Sequence, residues 1–554
     1  MSTTIHGGQA IVNSLQLHGV NRAYIVPGES YLSVLDGLYD ADIKTIVCRH
    51  EAACTYMADA HGKFTGQPGV AMVTRGPGAA QAYTGIHTAW QDGVPLVLFI
   101  GLIPIADRGR ESFQEFDPNQ WFSSQCKRVL ILDEVSRASE IVAKAFHAAL
   151  EGRPGPVVVG LPEDIIKQEF HGQIYPVIPV SKGCVSDDQL NLILDKLSKA
   201  EKPLMFVGGQ NWTCESAKQL TKFAEDNYIP VIHDWRASDR VAFDSPAHAG
   251  YLGYGRADSC AALLETADVL LTIGTVLGDV ASDGYKLRQS FAKPNYIVNL
   301  DTSLRGHSGS VTEHVIVSPS AFIEALSKKS LASSQPREAW FSYCHEQQRQ
   351  DCAFPNDKND NSEKSQDSTQ NYASMTEVIK ALTKLLPKDA VYSYGAGNHC
   401  IWAQRYLPTH TFPSQLSTRN GAMGYSLPAG IVAALEAPER LSIVISGDGE
   451  FMMNEAELST SVRYDAPVLI ILMDNQQFGT IRQHQNFYYP NRVSGTQLQN
   501  PNFAALADAF GAYGIQIADN NNIESYVSEA MQVIKRERKT VLLHVITDPA
   551  KLMP

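Results

Sequence analysis

The run Ile443-Val444-Ile445-Ser446-Gly447-Asp448-Gly449-Glu450, with Asp474-Asn475-Gln476-Gln477 standing beyond the 24 residues 450 to 473, decides the fold of this 554-residue chain. A β-branched run that ends in glycine and an acid reads as a strand buried on both faces and stopped at its carboxyl end. Leu441 to Ser446 and Val468 to Met473 are two such strands. Open parallel sheets bind ligands in the crevice outside those ends, so both polar segments are aimed at one place. The Asp448 carboxylate and the Asn475 amide oxygen suit one hard cation, an ion that commonly also holds phosphates. Gly447 and Gly449 would allow close backbone approach and unusual φ angles beside it. Each segment alone reads better as a turn or a strand end, and the pair at this spacing favours the cation site.

Working outward, the same alternation of helical period with short Val/Ile-rich runs covers the chain. Arg22 to Val26, Thr45 to Cys48, Gly69 to Thr74, Leu96 to Ile100 and Val157 to Leu161 are strands of the first third, with helices over Gly8 to His18 and Ala52 to Thr65. Pro203 to Val207, Val231 to His233, Val269 to Ile273 and Tyr296 to Leu300 follow, before a helix ending near Lys329. Ala390 to Ser393 and Thr540 to Thr547 complete the last set. The fold class is α/β, with three doubly wound parallel-sheet domains at 1–185, 186–345 and 374–554. The polar stretch 346–373, centred on Asn356 to Lys364, has too little apolar surface to offset the entropy of ordering it and reads as a linker.

Composition limits the function classes. Lys and Arg total 46 against 59 Asp and Glu, a net charge of −13 that repels a nucleic-acid backbone. The nine cysteines are scattered and never spaced C-x-x-C, so they read as reduced thiols rather than a zinc site or a disulfide framework. No basic leader precedes an apolar run and no window approaches 18 apolar residues, which points to a cytoplasmic protein with no membrane partner. No strand runs into Gly-x-Gly-x-x-Gly with an acid about 20 residues on, so a nicotinamide dehydrogenase is disfavoured.

The Gly447-Asp448-Gly449 and Asp474-Asn475 pair resembles the diphosphate signature of thiamine diphosphate enzymes, with Asp474 where the family has a first Asn. By that resemblance Asp448, the Asn475 side chain and the Gln477 carbonyl ligate Mg2+, which bridges the cofactor phosphates to the protein. Cys48-Arg49-His50-Glu51-Ala52-Ala53 resembles a second family element. Glu51 would hydrogen-bond the aminopyrimidine nitrogen and favour the tautomer that takes the proton from the thiazolium C2. Read alone, it is equally a first-turn acid favoured by the helix dipole.

The likeness extends through Pro27-Gly28, Gly76-Pro77-Gly78-Ala79, Glu111-Ser112-Phe113-Gln114-Glu115, Gly152-Arg153-Pro154-Gly155-Pro156 and Gly421-Ala422-Met423-Gly424. Together these resemble the acetohydroxyacid (acetolactate) synthase branch. The resemblance implies a cofactor site of Pro27, Glu51, Gly78, Gly397, Asn398, His399, Gly421, Met423, Gly447, Asp448, Gly449, Glu450, Asn475, Gln477, Phe478 and Gly479. It places Gly28, Glu29, Glu51, Phe113, Gln114 and His484 around the reacting carbon, with Met423 bending the cofactor. Met423 and Phe113 taken singly read as packing residues. A homodimer or homotetramer is implied, with the first domain of one subunit facing the third domain of another.

Three departures separate the chain from the biosynthetic synthases. Val280 stands where that branch has an Arg for the acceptor's carboxylate, and it cannot make a bidentate contact. His484 stands where they have a Trp, and Glu29-Ser30 where they have small apolar residues. His484 reads equally as a surface residue and Glu29 as a solvated loop acid. Gly152 to Pro156 leaves FAD open, in a non-redox role. The resemblance implies a carboligase or lyase acting on 2-keto acids and aldehydes. A 2-keto acid decarboxylase or benzaldehyde lyase is the alternative, and a non-catalytic regulatory relative is the reading from another class.

Overall fold

The computed structural model describes residues 4–355 and 372–554. Eighteen parallel strands form three six-stranded sheets. The first has the order β2-β1-β3-β4-β6-β5, from β1 (Arg22–Ile25), β2 (Lys44–Val47), β3 (Gly69–Val73), β4 (Leu96–Leu102), β5 (Arg128–Ile131) and β6 (Pro156–Pro162). The third repeats it as β14-β13-β15-β16-β18-β17, from β13 (Val391–Tyr394), β14 (Gln415–Ser417), β15 (Ser442–Gly447), β16 (Leu469–Asp474), β17 (Tyr513–Ile517) and β18 (Val541–Ile546). The middle sheet runs β12-β11-β10-β7-β8-β9, from β7 (Pro203–Val207), β8 (Val231–Asp234), β9 (His248–Leu252), β10 (Val269–Ile273), β11 (Asn295–Val298) and β12 (Glu313–Val315). Its order is that of the dinucleotide-binding fold, whereas the outer sheets share the other common doubly wound start.

Inner strands are apolar on both faces because helices cover both. In β3, Val70 and Met72 pack on one side and Ala71 and Val73 on the other. The second of these cores continues across the chain. Helix Glu51–Thr65 of the first unit packs on helix Ser426–Glu436 of the third, so the two sheets share one hydrophobic cluster. Inside this contact Lys63 Nζ is held by Asp59 at 2.8 Å and Asp92 at 2.6 Å, and it donates to the Ser417 carbonyl.

The expected strands are all present, and the sequence reading omits five: β5, β9, β12, β14 and β17. Every one is an edge strand. Three of them are partly exposed, with β12 and β14 only three residues long, so they lack the continuous apolar run that marks an inner strand. Helix Gln335–Asp351 occupies the start of the stretch read as a linker. The polar centre of that stretch, Asn356 to Lys364, lies outside the described residues. All nine cysteines are free thiols. Among the described residues no helix is long and apolar enough to cross a membrane.

Candidate active site

The switch point of the third sheet lies between β13 and β15, where strand order reverses. Outside it is a cavity of about 250 Å3, lined by Gly397, Asn398, His399, Gly421, Met423, Gly447, Asp448, Gly449, Glu450, Asn475, Gln477, Phe478 and Gly479. All the third-domain residues named for the cofactor therefore border one space. Asp448, Asn475 and Gln477 are buried around it and bring a carboxylate, an amide oxygen and a main-chain carbonyl, all hard oxygen donors. Among the described residues no group of three or more His, Cys, Asp or Glu is placed to hold a metal ion.

Local backbone builds this cluster. Strand β15 ends in extended Gly447, and helix Asp448–Phe451 begins at once. The two glycines do not adopt the unusual φ angles expected of them; Gly447 has φ −91° and neither is left-handed. Close approach is what they supply. A Cβ on Gly447 would lie 2.9 Å from His399 Nδ1, and one on Gly449 2.7 Å from the Phe478 ring. The left-handed residue is instead Gln476, at φ 54°, between the two donors Asn475 and Gln477.

Asp474, the departure from the family pattern, sits beside the donor Asp448 and is held by its own partners. Its carboxylate accepts from His544 Nε2 at 2.8 Å and Asn500 Nδ2 at 2.8 Å. Asn500 also donates to Asp448 at 2.7 Å and so ties the two acids together. Burial, reinforced by Asp474, pushes Asp448 up to about 6. Burial acts the same way on Asp474, but the His544 and Asn500 hydrogen bonds hold it below the usual range. His399 forms a buried ion pair with Glu450 at 3.0 Å. Burial opposes its charge, yet Cys400 and Glu450 push it up to about 10. Asn500 and His544 escape sequence reading, since an Asn in a loop and a His in a strand carry no spacing signal.

The first-domain residues gather separately, at the carboxyl ends of β1 and β3. His50 caps helix Glu51–Thr65 through Ala52 N at 3.0 Å, which sets Glu51 in its first turn. A Cβ on Gly78 would lie 3.3 Å from the Glu51 carboxylate and 2.9 Å from Thr74; one on Gly28 would strike Thr74 at 2.4 Å. Glu51, Gly28 and Gly78 therefore line one surface around Thr74, with exposed Pro27 beside them. Gln114, left-handed at φ 62°, packs against Gly76. Glu29 reaches Arg75 at 2.9 Å, and Arg75 also holds Glu163 at 2.9 Å, a pairing that sequence reading misses.

Two residues stay apart from both groups. Phe113 is 73% exposed, and His484 is an exposed residue stacked on Tyr488 in helix Gly479–Tyr488. Val280 borders another cavity, of about 470 Å3, with Arg256 and Asp283. No residue lines both the 250 Å3 cavity and the one beside Gln114. Within the chain the two groups border no common cavity, although their flanks touch, as in the Tyr56 hydroxyl to the Met423 carbonyl, 3.2 Å, and Arg49 N to Glu457, 2.8 Å.

Comparison with known proteins covers most of the chain. Family models match the thiamine pyrophosphate enzyme N-terminal TPP binding domain at residues 5–121, the central domain at 190–326 and the C-terminal TPP binding domain at 395–545. The chain is similar to the acetolactate synthase isozyme 2 large subunit of Escherichia coli, 30% identical over 98% of this chain and 96% of that one. It is also similar to the acetolactate synthase large subunit of Haemophilus influenzae, 29% identical over 99% and 95%. The isozyme 3 large subunit of Escherichia coli is 30% identical over 96% and 93%.

Proposed function

We propose a function from one premise: the chain belongs to the thiamine pyrophosphate enzyme family. It is a thiamine diphosphate-dependent, acetolactate synthase-like enzyme acting on 2-keto acids. The finer assignments are our reading. The observation that carries them is that Asp448, Asn475 and Gln477, which offer three kinds of oxygen donor, line one switch-point cavity. These three would hold Mg2+ and, through it, the diphosphate.

Bound thiamine diphosphate supplies a nucleophilic thiazolium carbon and an electron sink. Glu51 holds a proton at the aminopyrimidine nitrogen, its carboxylate kept in place by the helix start and by Gly78. Met423, whose carbonyl accepts from the Tyr56 hydroxyl, would give the cofactor apolar support. Gln114 orients the substrate carbonyl, and the Arg75 clasp fixes Glu29 beside it. Helix Gly479–Tyr488 starts at the cavity with Gly479, Thr480 and Ile481 and buries none of its residues, and His484 farther along it would act on the acceptor side.

No residue of one chain lines both the third-domain cavity and the one beside Gln114, which supports a homodimer or homotetramer whose sites are completed between subunits. The reading takes a pyruvate-like donor, a keto acid or aldehyde acceptor and a cytoplasmic setting. FAD is left open in a non-redox role: Arg153, Gly209, Gln210, Thr275, Asp301 and Arg305 line a crevice at the middle sheet's switch point, where Arg419 pairs with Asp234 at 3.1 Å.

Product analysis tests the proposal. With pyruvate, thiamine diphosphate and Mg2+, acetolactate is expected, and with added benzaldehyde a mixed hydroxyketone. Exclusive release of acetaldehyde would overturn ligation in favour of simple decarboxylation, and no turnover at all would favour a regulatory relative.

A further inference from the structure

A second cavity, of about 410 Å3, opens at the carboxyl ends of β3 and β4 and of the edge strand β5, on the same rim as Glu29. Gln114 and Arg75 both line it, so it adjoins the proposed reaction centre. Leu102, Ile103, Phe116, Pro118 and Ile131 give it an apolar side, and Arg75, Arg108, Gln114, Glu115, Asp117 and Asn119 line the rest.

The charges around it are sorted. Glu115 accepts from the Ser112 and Gly109 amides, and Asp117 caps helix Pro118–Phe122 through Asn119 N at 2.8 Å. Both acids are thus engaged by backbone. Arg75 is 7% exposed; its terminal nitrogens are taken by Glu29 and Glu163, while Nε has no partner among the described residues. Arg108, exposed at the same cavity, makes no ion pair among the described residues. The space therefore combines an apolar side with an unpaired cation at its margin, which suits an organic anion with an apolar body over a neutral or acidic-tailed one.

We propose that this cavity is a substrate subsite, which receives the side chain of 2-oxo acids carrying a branched or aryl group larger than methyl. The inference rests on the proposed function, since it supposes that the donor carbonyl sits beside Glu29 and Gln114. A methyl group would leave nearly all of the space unused. A phenyl or isobutyl group would bury itself against Leu102, Ile103, Phe116 and Ile131, gaining contact that pyruvate cannot make.

The test measures kcat/KM for carbon dioxide release by the full chain, loaded with thiamine diphosphate and Mg2+, from pyruvate, 4-methyl-2-oxopentanoate and phenylglyoxylate. The two bulky acids are expected within about tenfold of pyruvate. Ile131→Phe, which fills the cavity, is expected to lower the bulky-to-pyruvate ratio at least about tenfold, the scale on which pocket volume discriminates. Comparison of substrates in the unaltered protein keeps the test decisive should that variant fold poorly. Turnover of pyruvate with bulky acids below about one hundredth of its rate would overturn the subsite and leave the proposed function standing. Absence of turnover with pyruvate and with both bulky acids would overturn the proposed function, and the subsite with it.

Discussion

Glu51→Gln keeps the size and hydrogen-bonding reach of the side chain and removes its proton chemistry. Because positioned acids and bases contribute about 10²- to 10⁴-fold, kcat should fall by that factor while circular dichroism stays unchanged. Asp448→Asn acts on binding instead. Losing the only carboxylate among the three donors should raise the Mg2+ concentration for half-maximal activity at least about tenfold, read from a metal titration at saturating cofactor. At this scale the donor residues are legible because strand, glycine and acid fall in a fixed order. The Arg75 clasp is not legible, since Glu29, Arg75 and Glu163 come from three separate strand ends that only the folded sheet brings together.

At the scale of elements, the loop after β16 carries the strain. Gln476 sits at φ 54°, a conformation that costs a non-glycine residue about 1–2 kcal/mol and a β-branched one more. Gln476→Val should therefore lower the unfolding midpoint and weaken Mg2+ binding, whereas Gln476→Gly should be tolerated; denaturation with and without Mg2+ separates the two. Strands follow a different rule. The inner ones announce themselves because helices cover both faces and every position is apolar. Edge strands such as β5 and β17 face solvent, so their sequences mix Arg128 and Gln516 with apolar residues and blend into loop. The order of the three sheets was readable from the inner strands and one edge strand, β2.

Across the whole molecule, buried ionisable groups set the response to acid. His233 and His248 stack at 5.4 Å in the middle domain, and burial holds them down to about 4 and about 3. Both are neutral in the folded state and titrate near 6.5 when unfolded. Their contribution is therefore fully present above about pH 6.5 and is lost as pH falls through 4 toward 3. Calorimetry from pH 7 to 4 should show the middle domain's transition falling steadily, with a shallower slope in His248→Gln. Between the outer domains, Lys63→Met would leave Asp59 and Asp92 facing each other in a buried contact. Such a loss costs ~3–5 kcal/mol and should lower the first unfolding transition by several degrees.

In the proposed assembly Glu51 and Asp448 serve one cofactor from different chains, and subunit mixing separates this from a site built within one chain. Glu51→Gln and Asp448→Asn are each expected to be nearly inactive alone. Co-expressed with separate tags and assembled at random, they should regain about a quarter of native acetolactate formation, because each mixed dimer holds one site with neither change. Activity no greater than the sum of the two variants, or full turnover by either one alone, would contradict it.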